Sequence, residues 1–210
     1  MKAWPLIIKS QVSHIGSMDR EDCMARRKHS YEAFCLSVSD NPEEWRAIAK
    51  LGDHPCWSLS REGSFFVDAH ALAEVHADEL RSWAISEGIA TSRPLWKAWM
   101  TDEDGDWFYL TCSSKQEAEA EVEGYDIEPS MGPAPDGSCV EEISDIVLTE
   151  EGLQKLQRWG DPLSAIDGAL ILFCREIIAP TDENIVGIWW DDLFDPSRLS
   201  CARGGIFPAR

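Results

Sequence analysis

The chain has 210 residues with 38 acidic and 19 basic side chains, a formal net charge of −19, and 44% of its residues are hydrophobic. This length favours one domain with a substantial core. The charge argues against direct nucleic-acid binding, because a face that grips phosphates needs clustered Lys and Arg. No segment approaches the roughly 20 apolar residues of a membrane span, so we expect no membrane partner.

The first half of the sequence predicts short strands and capped helices. Asn41, Pro42 and Glu44 combine a helix cap, a proline at the first helical position and a capping-box acid, so a helix begins there. The elements predicted in this half are strands at 6–8, 34–38, 56–59 and 65–67, helices at 42–52 and 69–87, and a polar, turn-like stretch at 13–30.

The second half predicts a hairpin, a polar helix and three further strands. Ser114 and Glu117 form a second capping box that opens the polar helix. The predicted elements are strands at 95–100 and 107–111 around the acidic loop 102–106, the polar helix from 115, strands at 143–148, 169–178 and 185–190, and a helix at 150–159.

The order of these elements predicts the fold class. Strands outnumber helices and do not alternate regularly with them, which favours α+β over a doubly wound fold. We expect a mixed, mostly antiparallel sheet or sheets with flanking helices. We expect residues 1–210 to form a single domain, with an inserted loop region near 125–140, where the sequence is rich in Pro and Gly.

Cysteine usage points to a reducing compartment. Seven cysteines are spread along the chain without a CxxC pair, and the N-terminal apolar run is too short for a secretory signal. This pattern favours free thiols over a disulfide framework. We therefore expect a cytoplasmic protein with seven free thiols.

Two patterns contain metal-binding residue types without metal-site spacing. The loop 102–106 lacks the glycine of a calcium loop at the sixth position, and Ser113 stands where that loop requires Glu. His70 and His76 are six residues apart, so they lie on different faces of a helix rather than at the i, i+4 spacing of paired ligands. The sequence therefore predicts no metal site.

Three short segments place polar residues where strands begin or end. His14 follows the first predicted strand, and Ser37 and Ser39 are two apart on another strand, so both can face one cleft. Asp191 and Asp192 follow the last predicted strand, and the next segment supplies a further cation. The three segments are SHIGS at 13–17, FCLSVS at 34–39 and GIWWDD at 187–192, followed by Arg203.

This order of motifs resembles the ADP-ribosyltransferase-like fold, especially its small phage-encoded members of the anti-CRISPR type. Residues 14–17 are similar to the opening His-Thr-Ser-Pro of those proteins. Residues 34–37 are similar to their Phe-Leu-Cys-Phe strand, and residues 187–192 to their late Gly-Val-x-x-x-Asp strand. The resemblance is confined to the two ends of the chain. The sequence departs from the larger families in two ways: it lacks a clear Glu-x-Glu or Gln-x-Glu, and its acid is Asp rather than Glu.

The resemblance implies an NAD-dependent transferase that attaches ADP-ribose to a protein target, as a phage or mobile-element effector would. It implies that one carboxylate, Asp191 or Asp192, stabilises the oxocarbenium-like transition state of the ribose. Neighbours on a strand point to opposite faces, so only one can serve, and Asp191 is the first choice. The residues implied to bind NAD are His14, Ser37, Ser39, Tyr31, Phe34 and Arg203.

A non-enzymatic acidic interaction or inhibitor protein is the alternative function, and a small hydrolase is a third. The transferase needs His14, Ser37 and one C-terminal Asp to converge on one cleft. The acidic binding protein needs only a contiguous acidic face.

Overall fold

A computed structural model of the protein describes residues 3–19, 35–125, 132–156 and 162–208. The chain forms two compact units. The main unit comprises residues 1–89 and 149–210, and the inserted unit comprises residues 90–148. The boundaries at 89/90 and 148/149 lie outside the loop at 125–140 that the sequence analysis singles out. Antiparallel sheets and helices occur together, which confirms the α+β class.

A five-stranded sheet forms the centre of the main unit. The strand order is β1-β5-β9-β10-β3. β5 and β9 run parallel, and the other three pairs are antiparallel. The strands are β1 (Leu6–Ile8), β3 (Leu36–Val38), β5 (Phe65–Asp68), β9 (Ile185–Trp190) and β10 (Arg203–Ile206).

A two-stranded ribbon accompanies this sheet. β2 (Gln11–Ile15) pairs antiparallel with β4 (Cys56–Ser60). Ser13 also exchanges two backbone hydrogen bonds with Ser39, of 2.7 and 2.9 Å. The prediction that residues 13–15 are turn-like is therefore wrong. These residues belong to a strand that pairs with residues 56–58, more than 40 positions away in the sequence.

Helices of the main unit begin largely where the sequence predicts. In α1 (Pro42–Ala49) the Glu44 amide donates to the Asn41 side chain at 3.4 Å. The predicted helix at 69–87 is two helices, α2 (Ala69–Val75) and α3 (Ala77–Ser86), because His76 leaves helical geometry with φ −118° and ψ 27°.

The predicted strand at 169–178 is wrong, because this run is helical. Helix α6 (Pro162–Phe173) continues into a single π-helical turn, Cys174–Ile178. The residues from Leu170 to Cys174 are all buried. A helix that is buried on every side has no 3.6-residue periodicity, so its apolar run cannot be distinguished from a buried strand by pattern.

The inserted unit is a three-stranded antiparallel sheet with one helix against it. Its strand order is β7-β6-β8, with β6 (Ala90–Thr101), β7 (Trp107–Cys112) and β8 (Val140–Leu148). The hairpin around the acidic loop is confirmed. The second capping box is confirmed too, because Ser114 accepts from the Glu117 amide at the start of α4 (Lys115–Glu123).

Each unit has an apolar core cluster among its described residues. In the main unit Val12, Val38, Phe66 and Trp189 pack together, with the Phe66 and Trp189 rings 5.7 Å apart. The core of the inserted unit consists of Ala98, Cys112, Ala118, Val122 and Cys139.

Two remaining expectations concern helices and thiols. In the described part of the chain, no helix is long and apolar enough to cross a membrane. The six cysteines that lie within the described ranges are free thiols, and Cys23 lies outside those ranges. Helix α5 (Glu150–Lys155) of the main unit precedes α6 along the chain.

Candidate functional site

Strand β10 lies between β3 and β9, the two strands that carry the motif segments at 34–39 and 187–192. Ser37 of β3 is opposite Gly205 of β10, and Gly205 is opposite Ile188 of β9. Because β3 and β9 both run antiparallel to β10, their carboxyl ends lie at the same edge of the sheet. Ser39 follows β3 at that edge, and the acids 191–192 follow β9.

Lys9 connects the two strand ends on one side of the sheet. Its ammonium group donates to Asp40 Oδ2 at 2.6 Å and lies 3.9 Å from Asp191 Oδ1. The same group sits 4.3 Å from the ring centre of Trp189, whose indole N–H is 3.4 Å from Asp191. We call these four residues the Asp191 cluster. The Asp191 side chain is 71% exposed, so its carboxylate is open to a ligand.

Asp192 has a different set of partners. Its carboxylate is 2.7 Å from His70 Nε2 and accepts from Arg203 Nη1 at 2.6 Å. Arg203 also lies 3.7 Å from Asp167 and stacks 5.3 Å from the ring centre of Trp190. We call His70, Asp167, Asp192 and Arg203 the Asp192 cluster. Its central carboxylate is neutralised by the guanidinium and oriented by it.

His14 and Ser39 are buried and bonded to the backbone. The His14 ring is 2.7 Å from the Ser37 carbonyl through Nδ1 and 3.3 Å from the Ser17 carbonyl through Nε2. Both partners are carbonyl oxygens, so a ring nitrogen that bonds to either of them does so as an N–H donor. Ser39 donates its hydroxyl to the Ala202 carbonyl at 2.8 Å. These bonds hold the motif segments together, and a ligand would have to replace them to contact either side chain.

The other residues implied by the resemblance have separate placements. Tyr31 and Phe34 lie outside the described residues. Ser37 is half-buried on β3, which is separated from β9 by β10. Arg203, which the resemblance assigns to a pyrophosphate, is held by Asp192 and Asp167.

Four members of the two clusters lie outside the motif segments and were not singled out as site residues from the sequence: Lys9, Asp40, His70 and Asp167. His70 was considered only as a metal ligand, yet it contacts Asp192 across 122 positions of sequence. One feature does indicate that His70 lies near a strand end: it is in the first turn of a helix that directly follows strand β5. No local sequence pattern indicates a role for Lys9, because only the order of the strands in the sheet brings it close to Asp191.

A groove of about 690 Å³ lies elsewhere on the main unit. Trp4, Trp83 and Phe173 line it, with Asp78 and Glu79 beside them. None of the lining residues belongs to the Asp191 or Asp192 cluster. Among the described residues no group of three or more His, Cys, Asp or Glu is arranged to hold a metal ion.

Comparisons with known proteins find no matching family model, no matching curated protein and no matching solved structure.

Proposed function

We propose that the protein is an NAD-dependent ADP-ribosyltransferase that modifies a protein target in the cytoplasm, as a phage or mobile-element effector. In this proposal its α+β main unit is of the ADP-ribosyltransferase-like kind. One observation carries the proposal: the motif segments at 34–39 and 187–192, far apart in sequence, lie in one sheet on strands β3 and β9, which flank β10.

The geometry favours Asp191 over Asp192 as the catalytic carboxylate. Asp192 already bonds to His70 and Arg203, so its charge is committed to the protein. Asp191 is mostly exposed, and its nearest cation is 3.9 Å away. It also contacts Trp189, which packs against strands β2 and β3 of the N-terminal motif.

The proposed reaction uses that exposed charge. The bond between the ribose and nicotinamide of NAD breaks, and nicotinamide leaves with the electron pair. Positive charge then develops on the ribose, where a fixed carboxylate stabilises the transition state. A nucleophilic side chain of the target completes the transfer by attacking the same carbon. His14 and Ser37 would bind NAD, and His14 would exchange one of its bonds to a backbone carbonyl for a bond to the ligand.

The test compares two adjacent and nearly isosteric substitutions. Asp191→Asn should lower the rate of nicotinamide release from NAD by about 10²–10³, the usual cost of one preorganised electrostatic group. The melting temperature should change little, because Asp191 is exposed. Asp192→Asn should leave catalysis largely intact and should destabilise the fold by about 1 kcal/mol through the lost partner of Arg203.

Nicotinamide release is measured with and without a cell extract that supplies the target. A shift of the melting temperature on adding NAD would accompany binding. The proposal fails if the wild-type protein releases no nicotinamide and modifies nothing in the extract. It also fails if Asp191→Asn has the wild-type rate.

An acidic interaction protein is the second candidate function. The inserted unit carries fourteen acidic side chains and only three basic ones. The negative electrostatic potential of these side chains attracts basic partners, and the attraction weakens as the salt concentration rises. Retention of basic proteins at low salt by a chain that does not react with NAD would favour this function.

A further inference from the structure

Strand β7 forms an edge of the sheet in the inserted unit. It pairs with β6 on one side, in an uninterrupted register from Thr101↔Trp107 to Trp96↔Cys112. On its other side no described residue pairs with its backbone. Within the described part of the chain, the outward N–H and C=O groups of β7 thus form an unpaired strand edge.

This edge lacks the features that protect exposed strands. Proteins protect sheet edges with charged side chains, prolines or bulges. Strand β8, at the opposite edge, carries Glu141, Glu142 and Asp145. Strand β7 has the sequence WFYLTC, with no charge and no proline, and its register contains no bulge.

The aromatic side chains of β7 are exposed yet ordered by their neighbours. Tyr109 is 47% exposed and stacks edge-on against Trp99 at 4.8 Å. The Lys97 ammonium lies 4.4 Å from the Tyr109 ring centre. On the other face Phe108 is 37% exposed and contacts the Tyr125 ring at 6.2 Å. An added strand would therefore meet apolar surface on both of its faces.

The charge around β7 decides between possible occupants. The loop 102–106 before β7 has four carboxylates, and helix α4 after it has four glutamates. A second copy of the chain would bring like charges against these groups. A basic segment would bring opposite charges, which favours association.

We propose that β7 is a docking edge for an extended, basic segment of a partner protein, which adds to the sheet as a fourth strand. Backbone hydrogen bonds would supply affinity, and the acidic flanks would select Lys and Arg in the segment. The proposal does not depend on NAD chemistry, because none of its residues belongs to the Asp191 cluster.

The probe is a short, end-capped peptide of alternating Lys and Val, added to the full-length protein. We expect binding by calorimetry, weakening with salt, and slowed hydrogen exchange at alternate amides of residues 107–112. A peptide of alternating Glu and Val should bind at least about tenfold more weakly, because the flanks repel it. A third peptide, N-methylated at two adjacent central residues, keeps the charge but loses one donor on each edge, and should also bind at least about tenfold more weakly.

Two protein variants of equal charge change locate the site. Leu110→Lys places a protective charge on the exposed edge and should weaken binding at least about tenfold. Glu142→Gln removes one negative charge from the opposite edge strand and should leave the dissociation constant within about twofold. Thr111→Lys repeats the edge change at a polar, exposed position, in case Leu110→Lys disturbs the fold.

Three outcomes would overturn the proposal. Equal affinity for the N-methylated peptide would show that no strand is added. Equal weakening by Leu110→Lys and Glu142→Gln would show attraction by net charge alone. A dimer in sedimentation velocity that Leu110→Lys abolishes would show that a second copy occupies the edge instead.

Discussion

Gly187 lies in β9 at a position where a side chain has no room. A Cβ there would be 2.2 Å from the Gly205 carbonyl oxygen and 2.8 Å from the Phe66 ring. Both neighbours are fixed, since one is strand backbone and the other is a buried ring. Gly187→Ala should therefore destabilise the protein by about 3 kcal/mol, at the upper end for an overpacked core. Urea unfolding measures the change.

Gly168 of helix α6 provides the matched control. A Cβ at this position would make ordinary contact with the Leu156 side chain at 3.6 Å. Gly168→Ala should stabilise the protein by about 0.5–1 kcal/mol, because alanine favours a helix over glycine. Equal effects of the two substitutions would contradict the packing described for β9.

Individual residues show what the sequence could and could not predict about the site. Alternation along a strand was enough to expect different surroundings for Asp191 and Asp192, and their partners do differ. The contacts of Lys9 and His70 could not be expected. They depend on the order of strands in the sheet, which no local pattern specifies.

The start of helix α4 is stabilised by a reciprocal cap. Hydrogen bonds from the Ser113 hydroxyl and amide, and from the Ser114 amide, hold the pKa of Glu117 below its ordinary value of 4.5. A carboxyl group whose folded pKa is lowered stabilises the fold above the unfolded pKa. That contribution is lost as pH falls through the folded pKa.

Ser113→Ala should therefore raise the pKa of Glu117 toward 4.5. The change removes the side-chain bond, which is the largest cause of the lowering. An NMR titration of the Glu117 carboxyl carbon measures it. Asp195 is the internal reference, because its pKa is lowered by bonds from Ser197, and it should titrate unchanged in the variant. An unchanged Glu117 titration would contradict the cap.

Among the elements, capped helices and hairpins were predictable because their signals are local. Asn41, Ser114 and the loop 102–106 each mark an element that the structure contains. The run at 169–178 and strand β2 were mispredicted for opposite reasons. The run at 169–178 is apolar throughout, so its hydrophobic pattern has no helical period. Strand β2 contains polar residues, and its pairing with β4, which no local pattern indicates, stabilises it as a strand.

At the scale of the whole molecule, the two proposals belong to different units. The Asp191 cluster lies in the main unit, and the docking edge lies in the inserted unit. The sequence predicted α+β architecture but gave no sign of the boundaries at 89/90 and 148/149. The polar loop near 125–140 was the more conspicuous feature, yet it connects two elements of one unit.

Removal of the inserted unit should leave a folded main unit. The two ends of the main chain already meet, since the Thr149 amide donates to the Ile89 carbonyl at 3.0 Å and its hydroxyl donates to the Gly88 carbonyl at 2.6 Å. A two-residue Asn-Gly turn can therefore replace residues 90–148. The shortened protein should unfold cooperatively, and closing the shorter connection should change stability by only about 1 kcal/mol.

Circular dichroism and a urea transition test this prediction. The control deletion removes residues 102–148, which leaves strand β6 without its partners β7 and β8 and should yield an aggregating protein. The shortened protein should keep any release of nicotinamide from NAD, because the Asp191 cluster is intact, and should lose binding of the Lys-Val peptide. A shortened protein without a cooperative transition would show that the main unit needs residues 90–148 to fold. Peptide binding that survives the deletion would place the basic partner on the main unit.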